Sequence, residues 1–135
     1  MRRRYKLLIY LATVATAVGL FLWWDAPPPT PPLLQHVSAA GGWWGACPPE
    51  VYEQRLALSP ELNERLAKQF PPGTTEDDLF RGLATQGFSG IEHCRGDDTI
   101  RWTTFGNHAM QAAVYWKAHD GKVVWTKGFV FHIFL

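Results

Sequence analysis

The chain has 135 residues, 47% of them hydrophobic, and a formal net charge of +1. Four of its thirteen basic residues, Arg2, Arg3, Arg4 and Lys6, precede a long apolar run, so from Asp25 onward nine basic side chains face twelve acidic ones. That balance excludes the clustered Lys and Arg on which nucleic-acid binding rests, and the length allows one small domain of about a hundred residues after the run.

Leu7 to Trp24, LLIYLATVATAVGLFLWW, contains no charge. As a helix it covers roughly 27 Å, close to the ~30 Å hydrocarbon core of a bilayer. The basic cluster on one side and Asp25 on the other predict a single-pass anchor, N-terminus in the cytoplasm, with Tyr5 at the near interface and Trp23 and Trp24 at the far one. In a two-membrane bacterium this puts the helix in the inner membrane and the following domain in the periplasm. A cleaved signal peptide is the rival reading, because Ala15-Thr16-Ala17 and Ser38-Ala39-Ala40 are small-residue sites. Cleavage after Ala17, however, leaves VGLFLWW as a new apolar N-terminus. Ala12, Ala15, Thr16 and Gly19 are spaced to permit close pairing of two such helices, and so a homodimer through the anchor.

Asp25 to Pro32, DAPPPTPP, reads as a stiff polyproline spacer holding the rest of the chain roughly 20–25 Å from the membrane. The domain boundaries predicted on this basis are 1–24 for the basic N-terminus and anchor, 25–46 for a Pro/Gly-rich spacer, and 47–135 for the folded part. Trp43 and Trp44 stand between glycines near the end of the spacer. They are candidates for docking back onto the domain or for meeting a partner. The two cysteines, Cys47 and Cys94, fall outside the cytoplasm if the anchor holds, and a disulfide between them is expected there.

Ser59 and Pro60 open a helix as N-cap and first residue, and Leu62, Leu66 and Phe70 give it one apolar stripe before Pro71-Pro72-Gly73 stops it. Thr75 with Asp78 has capping-box spacing for a second helix, whose first turn holds Glu76, Asp77 and Asp78. Leu79, Phe80, Leu83 and Ala84 form its apolar face, and Gly87 ends it. Three consecutive acids on a helix point apart, so capping is preferred over a metal site.

Thr99 to Phe105 alternates as a strand, with Ile100 and Trp102 opposite Arg101 and Thr103. Asp120-Gly121 calls for a two-residue type I′ hairpin. Its simple register sets Ala118 against Val123, Trp116 against Trp125 and Val114 against Lys127 on an apolar face. His119 with Lys122, Lys117 with Val124 and Tyr115 with Thr126 then lie on a polar one. That is the pattern of a one-sided antiparallel sheet; Lys127 alone breaks it, and a bulge is the remedy. The final apolar run, through Phe134 to Leu135, reads as a further buried strand or an exposed patch. The fold class is therefore α+β: transmembrane helix, Pro-rich spacer, and two helices on one face of a three-stranded or four-stranded antiparallel sheet.

The run FPPGTTEDDLFRGLATQGF (Phe70 to Phe88), with a helix opening after Gly73-Thr74 and a Trp-bearing meander with its D-G turn behind it, resembles the two-helix, three-stranded module of the outer-membrane assembly lipoproteins of the SmpA/OmlA type and of the β-lactamase-inhibitor repeats. The resemblance covers residues 59–135 and implies an envelope protein that binds other proteins. The lipidation cysteine of the lipoproteins is absent, and an anchor stands in its place.

Catalytic patterns are sparse. His93 and Cys94 are adjacent, so on a strand they point to opposite faces and do not form a nucleophile pair. His108 has no ligand spacing to either, and no zinc, phosphate-loop or hydrolase motif is present. No catalytic, metal or cofactor residues are assigned. The sequence supports a non-enzymatic, membrane-anchored module that binds another envelope protein through a surface drawn from Trp43, Trp44, Gly96, Asp97, Asp98, Tyr115 and Phe134. The alternative is an inhibitor or immunity protein that blocks a secreted enzyme by inserting the loop at Gly96-Asp97-Asp98. A small hydrolase built on His93 or His108 is the third reading.

Overall fold

The computed structural model describes residues 2–24, 28–38, 47 and 59–132. The first element, α1 (Arg2–Trp24), is a single helix exposed along its apolar length. Arg4–Trp24 is long and apolar enough to cross a membrane. Its two threonines return their hydroxyl protons to the helix, Thr13 to the Ile9 carbonyl at 2.6 Å and Thr16 to that of Ala12 at 2.8 Å. Neither threonine proton is then left to seek water in a bilayer.

The folded part has the order α2 (Pro60–Gln69), α3 (Glu76–Thr85), β1 (Ser89–Cys94), β2 (Asp97–Gly106), β3 (Met110–His119) and β4 (Lys122–His132). It is an α+β arrangement whose antiparallel sheet runs β1-β2-β3-β4. Both helices start as their caps dictate. The Ser59 hydroxyl accepts from the Leu62 amide and that of Thr75 from the Asp78 amide at 3.2 Å. Gly87, at φ +88°, takes the left-handed conformation beyond α3.

Leu62, Leu66 and Phe70 of the first stripe are buried, as are Leu79 and Leu83 of the second, whereas Phe80 is half-buried and Ala84 exposed. They share one core with Ala112, Val114, Trp116, Val123 and Val130. Gly128 lets α2 come close: a Cβ there would sit 2.5 Å from Leu62 Cδ2. The Asn63 amide group then clamps the outer edge of β4, donating to the Gly128 carbonyl at 2.9 Å and accepting from its amide at 3.0 Å.

The hairpin departs from the simple register. Asp120 and Gly121 both have positive φ, as a type I′ turn requires, and Ala118 faces Val123. A bulge then intervenes, and Lys117 faces Trp125, Trp116 faces Thr126, Tyr115 faces Lys127 and Val114 faces Gly128. One extra residue reverses every side chain beyond it. Trp125 and Lys127 therefore leave the Trp116 face, and Phe129 and Phe131 join Tyr115 on the other. That second face is not polar. It forms its own core of Cys94, Ile100, Ala113, Tyr115, Phe129 and Phe131, with Cys47, Trp102 and Trp125 packed against it.

The proline-rich stretch expected as a free spacer is docked over residues 28–38. Leu33, Leu34 and Val37 are buried in the main core, Leu34 completely. One Arg65 nitrogen donates to the carbonyls of Pro32, Leu33 and Gln35, at 3.3, 2.9 and 2.7 Å. Gln86 accepts from the Leu33 amide at 2.9 Å. The Ser38 hydroxyl and amide donate to the Glu61 carboxylate at 2.6 and 3.1 Å. A single 3-10 turn at Pro32–Leu34 pairs the Leu34 amide with the Pro31 carbonyl at 2.9 Å; side chains of α2 and of Gln86 satisfy other strap groups, and the leucines after the prolines supply the adhesion.

Candidate functional site

Among the strands, β1 is the most uniformly exposed. Cys94, its last residue, is bonded to Cys47 with Cα atoms 5.3 Å apart, which ties residue 47 to the second face of the sheet. Cys94 is buried and His93 beside it is exposed, as alternation along a strand demands. β1 stands at the end of the strand order opposite to β4, and the side chains of Ser89 to His93 are all exposed. Ile91 is 43% exposed, one of two large apolar side chains so placed on the sheet; the other is Val124 at 44%. Gly90, at φ +76°, lies within a register break between Ser89 and Glu92, the bulge by which edge strands commonly limit unwanted pairing.

The Gly96-Asp97-Asp98 stretch is not a protruding loop. Arg95 and Gly96 make a two-residue turn, Gly96 at φ +89°, and Asp97 and Asp98 already belong to β2. The Asp97 carboxylate accepts from the Thr99 hydroxyl and from its amide, and those bonds hold its pKa below the usual carboxylate value. Tyr115, expected on an accessible polar face, is only 1% exposed. Trp102 stacks on it with ring centroids 5.6 Å apart, and Phe129 meets it edge-on at 5.4 Å. Tyr115 is therefore a core residue. Trp43, Trp44 and Phe134 lie outside the described residues.

The histidines named as catalytic candidates do not converge. His93 pairs with Arg101 in the middle of β2, whereas His108 is in the turn beyond Gly106, at the far end of that strand. Among the described residues, no group of three or more His, Cys, Asp or Glu side chains could hold a metal ion. A polar contact inside the domain is at Glu76, at the start of α3: its carboxylate accepts from the Trp116 indole at 2.8 Å and from the Arg101 guanidinium. This fastens the helix N-terminus across β2 and β3, with Arg101 still about one-third exposed.

Two clefts border the docked strap. One, of about 690 Å3, is open and lies between Pro32 and Leu33, the end of α2 at Arg65, Lys68 and Gln69, and Thr85 and Gln86. The other, of about 330 Å3, runs under the prolines against Gly87 and Phe105. The sequence signal for β1 was weak: six residues, a glycine at the second position, and one exposed isoleucine. The clamp at Gly128 had none, since it depends on a helix distant in sequence. No family model, curated protein or solved structure matches this chain.

Proposed function

We propose that the chain is a non-enzymatic, single-pass membrane protein whose α+β domain lies outside the cytoplasm, in the periplasm of a two-membrane bacterium, and binds another envelope protein through β1. The observation that carries this reading is the asymmetry of the sheet edges. β4 is engaged at Gly128 by Asn63 and at Val123 by the backbone of Gly73 and Thr74, while the residues of β1 are exposed from Ser89 to His93 beside the disulfide. An exposed edge can accept an extended segment of a partner by strand addition, main-chain hydrogen bonds giving affinity and alternate side chains specificity, and the Gly90 bulge confines such pairing to a short stretch around Glu92 and His93. Ile91 supplies an apolar contact; Glu92 and His93 supply polar ones. The apolar helix and the Cys47–Cys94 bond support the location. The resemblance to envelope assembly lipoproteins and inhibitor repeats favours protein binding as the role, and the tight Arg95-Gly96 turn favours strand pairing over loop insertion into an enzyme.

The test is a photoreactive phenylalanine analogue placed at Ile91 and, in a separate protein, at Val124, with irradiation of the native membrane. A discrete adduct from position 91 and none from 124 is expected. Adducts from neither position, or from 124 alone, refute a β1 interface.

A further inference from the structure

We infer that the end of the domain carrying the β2–β3 turn, Asn107 to Ala109, is held against the bilayer, its binding surface the phospholipid headgroup layer. This rests on α1 being a retained anchor and deepens that reading by fixing which face the domain turns to the membrane. Only residues 25–27 separate Trp24 from Pro28, and Pro28 is already on the domain. The Asn107 side-chain amide donates to the Pro28 carbonyl at 3.4 Å and to the Thr30 hydroxyl at 3.2 Å. Four residues of chain reach at most about 14 Å even when fully extended. Trp23 and Trp24, exposed at the end of α1, set that end at the interface level. The strap cannot peel away to lengthen the tether without uncovering Leu33, Leu34 and Val37 and releasing the Arg65, Gln86 and Glu61 contacts.

The Asn107 side chain also shapes the turn, accepting from the Ala109 and Met110 amides at 2.9 Å each. The turn carries no carboxylate, and His108 is exposed, so nothing in it repels an anionic headgroup. The opposite end of the sheet bears the Asp120-Gly121 turn, with the Glu76 amide bonded to the Gly121 carbonyl. The ten residues of β3 place that end roughly 30 Å away along the strand. A partner of β1 must then work within a few nanometres of the membrane surface.

The experiment uses the full chain, disulfide intact, in phosphatidylcholine–phosphatidylglycerol vesicles that include a lipid with a nickel-chelating headgroup. A nitroxide is attached at His108→Cys, at Ala109→Cys and, at the other end, at Lys122→Cys. Paramagnetic relaxation by the headgroup nickel is expected to be several-fold stronger at 108 and at 109 than at 122. A ten-residue Gly/Ser insertion after Ala26, which adds roughly 17 Å of reach, should remove most of the difference. Equal relaxation at all three sites, in a chain that resists carbonate extraction, overturns the inference while leaving the anchor in place. Carbonate extraction of the chain overturns the anchor reading and the inference with it.

Discussion

Leu34→Ala separates a docked strap from a free spacer. Leu34 is fully buried and belongs to the same core as Leu62, Leu66 and Trp116. Truncating a buried leucine costs about 2–5 kcal/mol, the spread reflecting how far the site collapses into the cavity. The strap is a single segment held from one side, so it can settle partway into the gap, and about 2–3 kcal/mol is the expected loss. For a domain of about a hundred residues each kcal/mol lowers Tm by about 4–8 °C, which gives a fall of about 8–24 °C. Thermal unfolding of the full chain in detergent, followed by near-ultraviolet circular dichroism of its tryptophans, measures it. Gln35→Ala, at an exposed strap position, should move Tm by no more than about 2–4 °C, within the ±0.5 kcal/mol of ordinary surface changes. If Leu34→Ala behaves like Gln35→Ala, the strap is not part of the core and the short tether to the membrane falls with it.

Gly128→Ala should destabilise by about 1–3 kcal/mol through overpacking, since the new methyl meets Leu62 Cδ2 at 2.5 Å and Leu66 Cδ1 at 2.9 Å; Gly106→Ala, with its nearest atom 3.9 Å away, should be neutral or slightly stabilising in the same melt. Hydrogen bonds from the Ser38 hydroxyl, the α2 backbone and the Ser38 amide pull Glu61 from 4.5 to about 2. A carboxylate with a lowered pKa contributes its stabilisation fully above the unfolded value and loses it as pH falls through the folded one, so the Ser38 amide shift should hold constant above about pH 5 and titrate with a midpoint near 2; a midpoint near 4.5 would mean that the contact is absent. Opening the Cys47–Cys94 bond, 47 residues apart in sequence, should remove about 4 kcal/mol of chain-entropy stabilisation. An unchanged Tm in reductant, with both thiols then alkylated, would refute a stabilising bond.

What the sequence made legible was whatever local chemistry decides. Ser59-Pro60 and Thr75 with Asp78 announced their helices because a cap is satisfied within one turn. Asp120-Gly121 announced its hairpin because few other dipeptides accept two positive φ angles. The cysteine pairing followed from compartment and number. What was hidden depends on long-range packing. Lys127 on the apolar face hinted at a bulge but not at its place; set after Val123, it moves Trp125 as well, turns a half-polar hairpin face into the aromatic core around Tyr115 and withdraws Tyr115 from the surface. DAPPPTPP has the composition of a free spacer; the burial of Leu33, Leu34 and Val37 and the contacts of Glu61, Arg65, Gln86 and Asn107, far along the chain, make residues 28–38 part of the domain. The candidate interface was not legible: Gly96 and the two aspartates stood out as a loop beside it, but the strand before them is short and broken by Gly90, and none of its exposed residues was singled out.

Membrane attachment and an oxidised external domain underlie both the β1 interface and the orientation of the domain, and intact-protein mass spectrometry of the membrane fraction, alkylated before and after reduction, addresses both in one spectrum. The expected result is a mass that includes α1, with two alkyl groups gained only after reductant. A mass lacking the apolar helix, or alkylation of Cys47 and Cys94 without reductant, would contradict it.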